Sequence, residues 1–207
     1  DVNDLFVTYG MQALYDGVIT DNKVWTDQDG REMVAAYRSD SLRIRELRER
    51  GTDVMILSSE PNAVVAARAQ KMGVEAIQGV GLQDKGRVMR EVLAQKNIPA
   101  ENVVYIGNDI NDLPCFEVAG WSVAVVDAFP EVIRAADHVL TKAGGQGALR
   151  ELCDLILKNW VGGSYRIVLK SPSIYGLYGN GKEVEGKYFK ITSSCNNRLN
   201  YKFRFES

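Results

Sequence analysis

Between Gln12 and Trp160 short apolar runs alternate with amphipathic stretches, and this alternation restricts the fold more than any other feature. Val54–Leu57 ("VMIL"), "EAIQGV" from Glu75, "VVYI" from Val103, "SVAVV" from Ser122 and "HVL" from His138 read as strands. The stretches between them carry helix punctuation. "PNAVVAARAQKMG" has Pro61 for a first turn and Gly73 as a stop. "DKGRVMREVLAQKN" gives one apolar face through Val88, Val92 and Leu93, and "GALRELCDLILKNW" another through Leu149, Leu152, Leu155 and Ile156. "DLPCFEVAG" and "PEVIRAAD" read as shorter helices. Strand and helix in repetition, with nearly unbroken apolar strands, predict an α/β fold: a Rossmann-like, doubly wound parallel sheet covered on both faces. Ligands of such sheets sit at the carboxyl ends of the strands.

Two stretches depart from the repeat. "KVWTDQDGREMVAAY" predicts an early β-hairpin turning at Asp29-Gly30. After Trp160, "VGGS" has linker composition, and "YRIVLK", "YGLYGNGKEVEGKYFKI" and "NYKFRFE" predict a small antiparallel β module over residues 161–207, with eight Lys and Arg against three Glu. The sheet domain is expected over residues 12–160. Residues 1–11 fit it poorly and are open to assignment as a strand of the tail module. The glycine-serine joint and the unrelated tail also allow an engineered chimera with the sheet domain as scaffold.

Composition excludes several function classes. A formal net charge of −2 gives no global attraction to nucleic acid or anionic membranes. No apolar run approaches the roughly 20 residues that span a bilayer, and no basic start with an apolar core suggests a secretory signal. Cys115, Cys153 and Cys195 are odd in number and widely spaced, so free thiols in a reducing cytoplasm are expected rather than disulfides or zinc. "GLYGNGKE" from Gly176 nearly spells a phosphate-binding loop, but Glu183 stands where Ser or Thr must meet the metal, so a hairpin turn is the better reading. His138 opens a short apolar strand and reads as structural. The aromatic and basic residues of the tail suit a half-buried sheet better than single-stranded nucleic acid.

The chemistry-bearing side chains fall at strand ends. Asp16 lies where the first strand runs out, Ser58 follows "VMIL", Lys85 opens a helix, and Asp109 and Asp112 follow "VVYIG". A doubly wound sheet brings these to one edge. Carboxylates there suit Mg²⁺, a hard cation that takes oxygen ligands. A Ser hydroxyl and a Lys ammonium suit phosphoryl oxygens.

"DGVITDN", "LSSE", "DK" and "GNDINDLP", in that order, resemble the haloacid dehalogenase (HAD) superfamily. With "DNKVWTDQDGRE", "RSD", "VAVVDAFPEV" and "AGGQGALRELCDLIL", residues 13–159 resemble its uncapped 3-deoxy-manno-octulosonate 8-phosphate phosphatases and the C-terminal HAD module of some acylneuraminate cytidylyltransferases. The resemblance implies a Mg²⁺-dependent phosphatase of an acidic sugar phosphate, 2-keto-3-deoxy or acylneuraminate in type. It implies Asp16 as general acid/base with its carbonyl on Mg²⁺, Ser58 and Lys85 on the phosphoryl group, Asp109 as metal ligand and Asp112 in support. Arg38, Ser39 and Asp40 fall where relatives shape the substrate entrance. Gly144, Gly145 and Gly147 precede a helix and offer bare backbone to a carboxylate or phosphate, with Arg150 one turn in; a plain loop into the helix fits them as well. It further implies homotetramers in which the hairpin packs on neighbours.

One position breaks the pattern. The family's nucleophile, also a metal ligand, is an aspartate two residues before Asp16, and here that residue is Leu14. Hydrocarbon neither attacks phosphorus nor coordinates metal. Two functions remain open: a phosphatase by lineage with impaired turnover, and a catalytically silent domain that binds or oligomerises.

Overall fold

The computed structural model describes residues 9–13, 15–158, 160–161 and 164–165 of the 207. The chain divides into two compact units, Asp1–Leu155 and Ile156–Ser207. In the first, six strands form one parallel sheet: β1 (Tyr9–Ala13), β4 (Thr52–Leu57), β5 (Glu75–Ile77), β6 (Val103–Gly107), β7 (Trp121–Ala124) and β8 (His138–Val139), in the order β5-β4-β1-β6-β7-β8. The chain leaves β1 toward β4 and β5 and returns to β1's other side with β6. The winding reverses beside β1, which puts a crevice at the carboxyl ends of β1 and β6.

The apolar runs read as strands are the buried ones. Val54 to Leu57 and Val103 to Ile106 are buried without a break, as a sheet covered on both faces requires. The first strand departs from expectation. β1 starts at Tyr9 and pairs with both β4 and β6, so Tyr9, Gly10 and Met11 belong to the sheet rather than to a tail module. Its mixed text, "YGMQA", hid where it starts.

Helices α2 (Ala63–Met72), α3 (Lys85–Lys96), α4 (Leu113–Phe116), α5 (Pro130–Ala135) and α6 (Ala148–Lys158) lie where expected. Asn62, not Pro61, opens α2, its side chain accepting from the Val64 amide at 3.0 Å, and Gly73 closes it in the left-handed conformation. On α3 the apolar stripe runs through Met89, Val92 and Leu93, with Val88 half-buried. Helix α1 (Asp40–Glu49) was not anticipated: it is dense in charge and buries only Asp40, Ile44 and Leu47.

The hairpin is present. β2 (Trp25–Thr26) pairs antiparallel with β3 (Glu32–Met33) around Asp27–Arg31, with Gly30 at φ 77°. In the second unit, β9 (Trp160–Val161) pairs antiparallel with β10 (Ser164–Tyr165). The rest of the expected tail module, the loop at Gly176 and Cys195 lie outside the described residues. Among the described residues Cys115 and Cys153 are buried and free, and no helix is long and apolar enough to cross a membrane.

Ile106, on the second of β1's two flanking strands, is fully buried. Ile106→Ala is expected to lower the unfolding free energy by about 3 kcal/mol in urea denaturation.

Candidate active site

The turn after β1 puts Asp16 at the crevice. Asp16 is extended (φ −78°, ψ 129°) and Gly17 left-handed (φ 72°). A Cβ on Gly17 would overlap the Asn108 side chain, so the turn is closed from the β6 side by contact as well as by backbone conformation. Asp16, Lys85 and Asp109 line one cleft there with Asn22, Ser59 and Asn108, and Asn111 completes the wall.

Below the cleft lies a buried ion pair. Lys85, the first residue of α3, and Asp112 are both fully buried, with Nζ 2.9 Å from Oδ1. The Tyr105 hydroxyl donates to the same oxygen at 2.9 Å. The amides of Asn108 and Asp109 donate to Oδ2 at 2.9 and 3.1 Å. Four donors therefore fill the Asp112 carboxylate, as an ion removed from water requires. Asp112 was expected at the metal. Instead it anchors Lys85 and the "GNDIND" turn from beneath. Burial, with the Asp112 charge second, raises the Tyr105 hydroxyl well above its usual range.

Asp109 begins that turn, its Oδ1 accepting from the Ile110 amide at 2.6 Å. Ser58 is buried; its hydroxyl donates to Asp16 Oδ2 at 3.4 Å and accepts from the Glu60 amide at 3.0 Å. Ser58 thus holds Asp16, and Ser59 is the serine on the cleft wall. Burial raises the Asp16 carboxyl above its ordinary value, and the charge of Glu60 adds to the rise. Negative charge prevails, because Lys85 is paired with Asp112 while Asp16, Asp109 and Glu60 face inward or lie close by. Such a cleft favours a cation. Its donor set is short, however: among the described residues no group of three or more His, Cys, Asp or Glu is arranged to hold a metal ion. Leu14 lies outside the described residues.

The residues expected at the substrate entrance divide differently. Arg38 is exposed. Ser39 precedes α1 without a capping bond. Asp40 is fully buried, and its Oδ1 accepts from the Arg150 amide at 3.0 Å, so it joins α1 to α6 instead of facing a substrate. The Arg150 side chain turns to Asp154, Nε to Oδ2 at 2.9 Å. Two amides of the glycine loop are turned inward: that of Gly144 donates to Asp127 Oδ1 at 2.9 Å and that of Gly145 to the Val18 carbonyl at 3.0 Å. Close approach explains these glycines, since a Cβ on Gly144 would overlap the Gly17 carbonyl. Sequence reasoning missed Tyr105, Ser59, Asn22, Asn108 and Asn111; the two last stood inside "GNDIND", where only the aspartates drew notice.

The profile described as haloacid dehalogenase-like hydrolase matches residues 80–152, which carry Lys85, Asp109 and Asp112. The 3-deoxy-D-manno-octulosonate 8-phosphate phosphatase of Haemophilus influenzae is 35% identical over 143 residues, covering 69% of this chain and 79% of the relative. The chain belongs to the haloacid dehalogenase-like hydrolases. A solved hydrolase of this family from Streptomyces avermitilis is 42% identical, with a TM-score of 0.68 over 72% of this chain and 84% of that one. The Moraxella catarrhalis 3-deoxy-D-manno-octulosonate 8-phosphate phosphatase, solved with a magnesium ion, a phosphate ion and KDO, is 29% identical, with a TM-score of 0.70 over 76% of this chain and 92% of that one.

Two outcomes follow for this HAD-like site. Asp112→Asn leaves Lys85 buried without its counter-charge and is expected to cost about 3–5 kcal/mol of stability; adding Lys85→Met recovers part of it in a double-mutant cycle by denaturation. Burial raises the Asp40 carboxyl from 3.8 to about 6. The folded state thus holds this proton more tightly, and the stability Asp40 contributes is complete below pH 3.8 and lost as pH rises through about 6. That gap corresponds to about 3 kcal/mol. Asp40→Asn is expected to gain on the wild type by up to that amount between acid and neutral pH.

Proposed function

We propose that this chain is a phosphatase by lineage for an acidic sugar phosphate of the 3-deoxy-D-manno-octulosonate 8-phosphate kind, whose turnover is severely reduced by Leu14. The carrying observation is the cleft itself. It gathers Asp16, Lys85 and Asp109 at the carboxyl edge of the sheet, in a chain 35% identical to a phosphatase of that substrate. Asp16 serves as general acid/base, its raised carboxyl suited to holding a proton for the leaving oxygen. Ser58 orients Asp16. Lys85, fixed by Asp112, offers positive charge to the phosphoryl oxygens. Asp16 and Asp109 are the residues that would hold a divalent cation, magnesium by analogy with the Moraxella relative; bound there, it would neutralise phosphoryl charge. With the Asp109 carboxylate and the Asp16 backbone carbonyl as its protein donors, affinity is lower than a second carboxylate would give. The proposed setting is the cytoplasm.

A second reading is a silent domain that binds or assembles. Leu14 supports it, and so does the hairpin, where Val24, Trp25 and Met33 are more than half exposed at 53%, 57% and 63%. Exposed apolar side chains on a two-stranded ribbon suit a homo-oligomer contact, a tetramer by family resemblance. An engineered fusion remains the reading for the Gly-Gly-Ser joint and tail alone.

The experiment is hydrolysis of 3-deoxy-D-manno-octulosonate 8-phosphate with Mg²⁺ by the chain and by Leu14→Asp. Loss of a covalent nucleophile costs about 10⁶-fold, roughly 8 kcal/mol of barrier. The chain is expected to be nearly inactive and the variant faster by several orders of magnitude. Turnover by the chain that Leu14→Asp does not raise would mean that another oxygen attacks phosphorus.

A further inference from the structure

Asp40 opens α1 on the stripe it shares with Ile44 and Leu47, and it is fully buried. Its Oδ1 takes the backbone amide of Arg150, 110 residues along the chain. Its Oδ2 is buried with no hydrogen-bond partner among the described residues. Arg150 is the third residue of α6. The carboxyl therefore stands at the amino-terminal ends of two helices, where unpaired N–H groups favour negative charge.

Among the described residues, the charged groups facing Asp40 are few. Arg68 reaches it from α2 and Arg150 from α6, and Cys153 of α6 is the titratable neighbour. Both arginines are engaged elsewhere. Arg68 donates to the Tyr37 carbonyl at 3.0 Å and to the Ser41 hydroxyl at 3.4 Å, and Arg150 donates to Asp154. On its own helix, Arg43 pairs with Glu46 and Asp154. Charge on Asp40 thus acts chiefly on the Arg150 amide, the start of α6.

From there a short chain of contacts runs to the cleft. α6 follows directly on Gly144–Gly147. Gly147 sits against the Tyr37 ring, Gly144 against the Gly17 carbonyl, and the Gly145 amide donates to the Val18 carbonyl at 3.0 Å. Gly17 and Val18 are the two residues after Asp16. The Gly144–Gly17 and Gly145–Val18 contacts are backbone to backbone, with the Tyr37 ring on Gly147 and the Asp127 and Asn108 side chains bordering the path.

We propose that Asp40 is a positioning residue for the Asp16 turn: the charge it carries sets how the start of α6 is held, and the glycine loop passes that setting to Gly17 and Val18. A carboxylate holds the Arg150 amide in a charge-assisted bond, about twice as strong as the bond to a neutral carboxyl oxygen. Burial places the change near pH 6, where both forms are populated close to neutrality. The inference goes beyond the phosphatase reading and needs neither metal nor turnover.

The test is a pH titration by NMR of the full chain without divalent cations. It follows the Asp40 side-chain carboxyl carbon and the amides of Gly17, Val18, Gly145 and Arg150. The expected result is one shared midpoint near 6, absent from Asp40→Asn, whose amide dispersion stays that of a folded chain. Asp16→Asn, which removes the turn's own acid, is expected to keep the shared midpoint, and it decides the matter should Asp40→Asn fail to fold. An Asp40 that does not titrate near that pH overturns the proposal. So do Gly17 and Val18 amides that ignore Asp40, that still titrate in Asp40→Asn, or that stop titrating in Asp16→Asn.

Discussion

The buried Lys85–Asp112 pair is the interaction on which the cleft depends. Lys85 stands at the amino end of α3, where the helix dipole opposes a cation, and it is fully out of water. Asp112 Oδ1, 2.9 Å from Nζ, offsets that position. Asp112 in turn is held by Tyr105 from β6 and by two amides of its own turn. One carboxylate thus fixes the start of α3, the end of β6 and the turn that carries Asp109. Removing any partner leaves a charge or a polar group stranded, and the penalty falls on folding before it falls on chemistry.

Asp40 is the electrostatic counterpart. It too opens a helix and is buried on its apolar stripe, but its sign suits the dipoles of α1 and α6. Among the described residues it therefore persists without a full ion-pair partner, leaving one oxygen unbonded and its proton affinity raised. Lys85 has a dedicated counter-ion and Asp40 has helix ends. The first arrangement is rigid. The second retains a proton equilibrium near neutrality.

Most of the sheet was legible because β4, β6 and β7 are buried on both faces and so read as apolar runs. The end of β1 before Asp16 was legible but its start was not, since "YGMQA" mixes glycine and an amide into a strand that takes its place from neighbours on both sides. α1 was missed because its buried stripe of Asp40, Ile44 and Leu47 holds only two apolar residues amid arginines and glutamates. At the site, the strand-end residues Asp16 and Asp109 and the helix-start residue Lys85 could be gathered from topology alone. What topology cannot supply is which oxygen each donor finds. That bookkeeping turned Asp112 from ligand to anchor, Asp40 and Arg150 from substrate groups to a helix junction, and two amides of the glycine loop from anion donors to inward bonds. Tyr105 carries no motif signal, because it is one apolar-looking residue inside a strand.

This division decides what the family motifs mean in a chain that has Leu14. Lys85 and Asp112 balance each other's buried charge, and Gly17 and Gly144 answer to close packing, so each has a role in this fold apart from turnover. Their presence is evidence of fold more than of catalysis. Asp16 is different. It is half-buried, and burial and Glu60 together disfavour its charged form. Ser58 offers one long hydrogen bond in return. The Lys85 charge also favours the carboxylate, but burial and Glu60 outweigh both. The informative pair is therefore Asp16 and Leu14, two residues apart in the sequence: one acid whose charged form burial disfavours, and one hydrocarbon at the position where the family resemblance implies an acid.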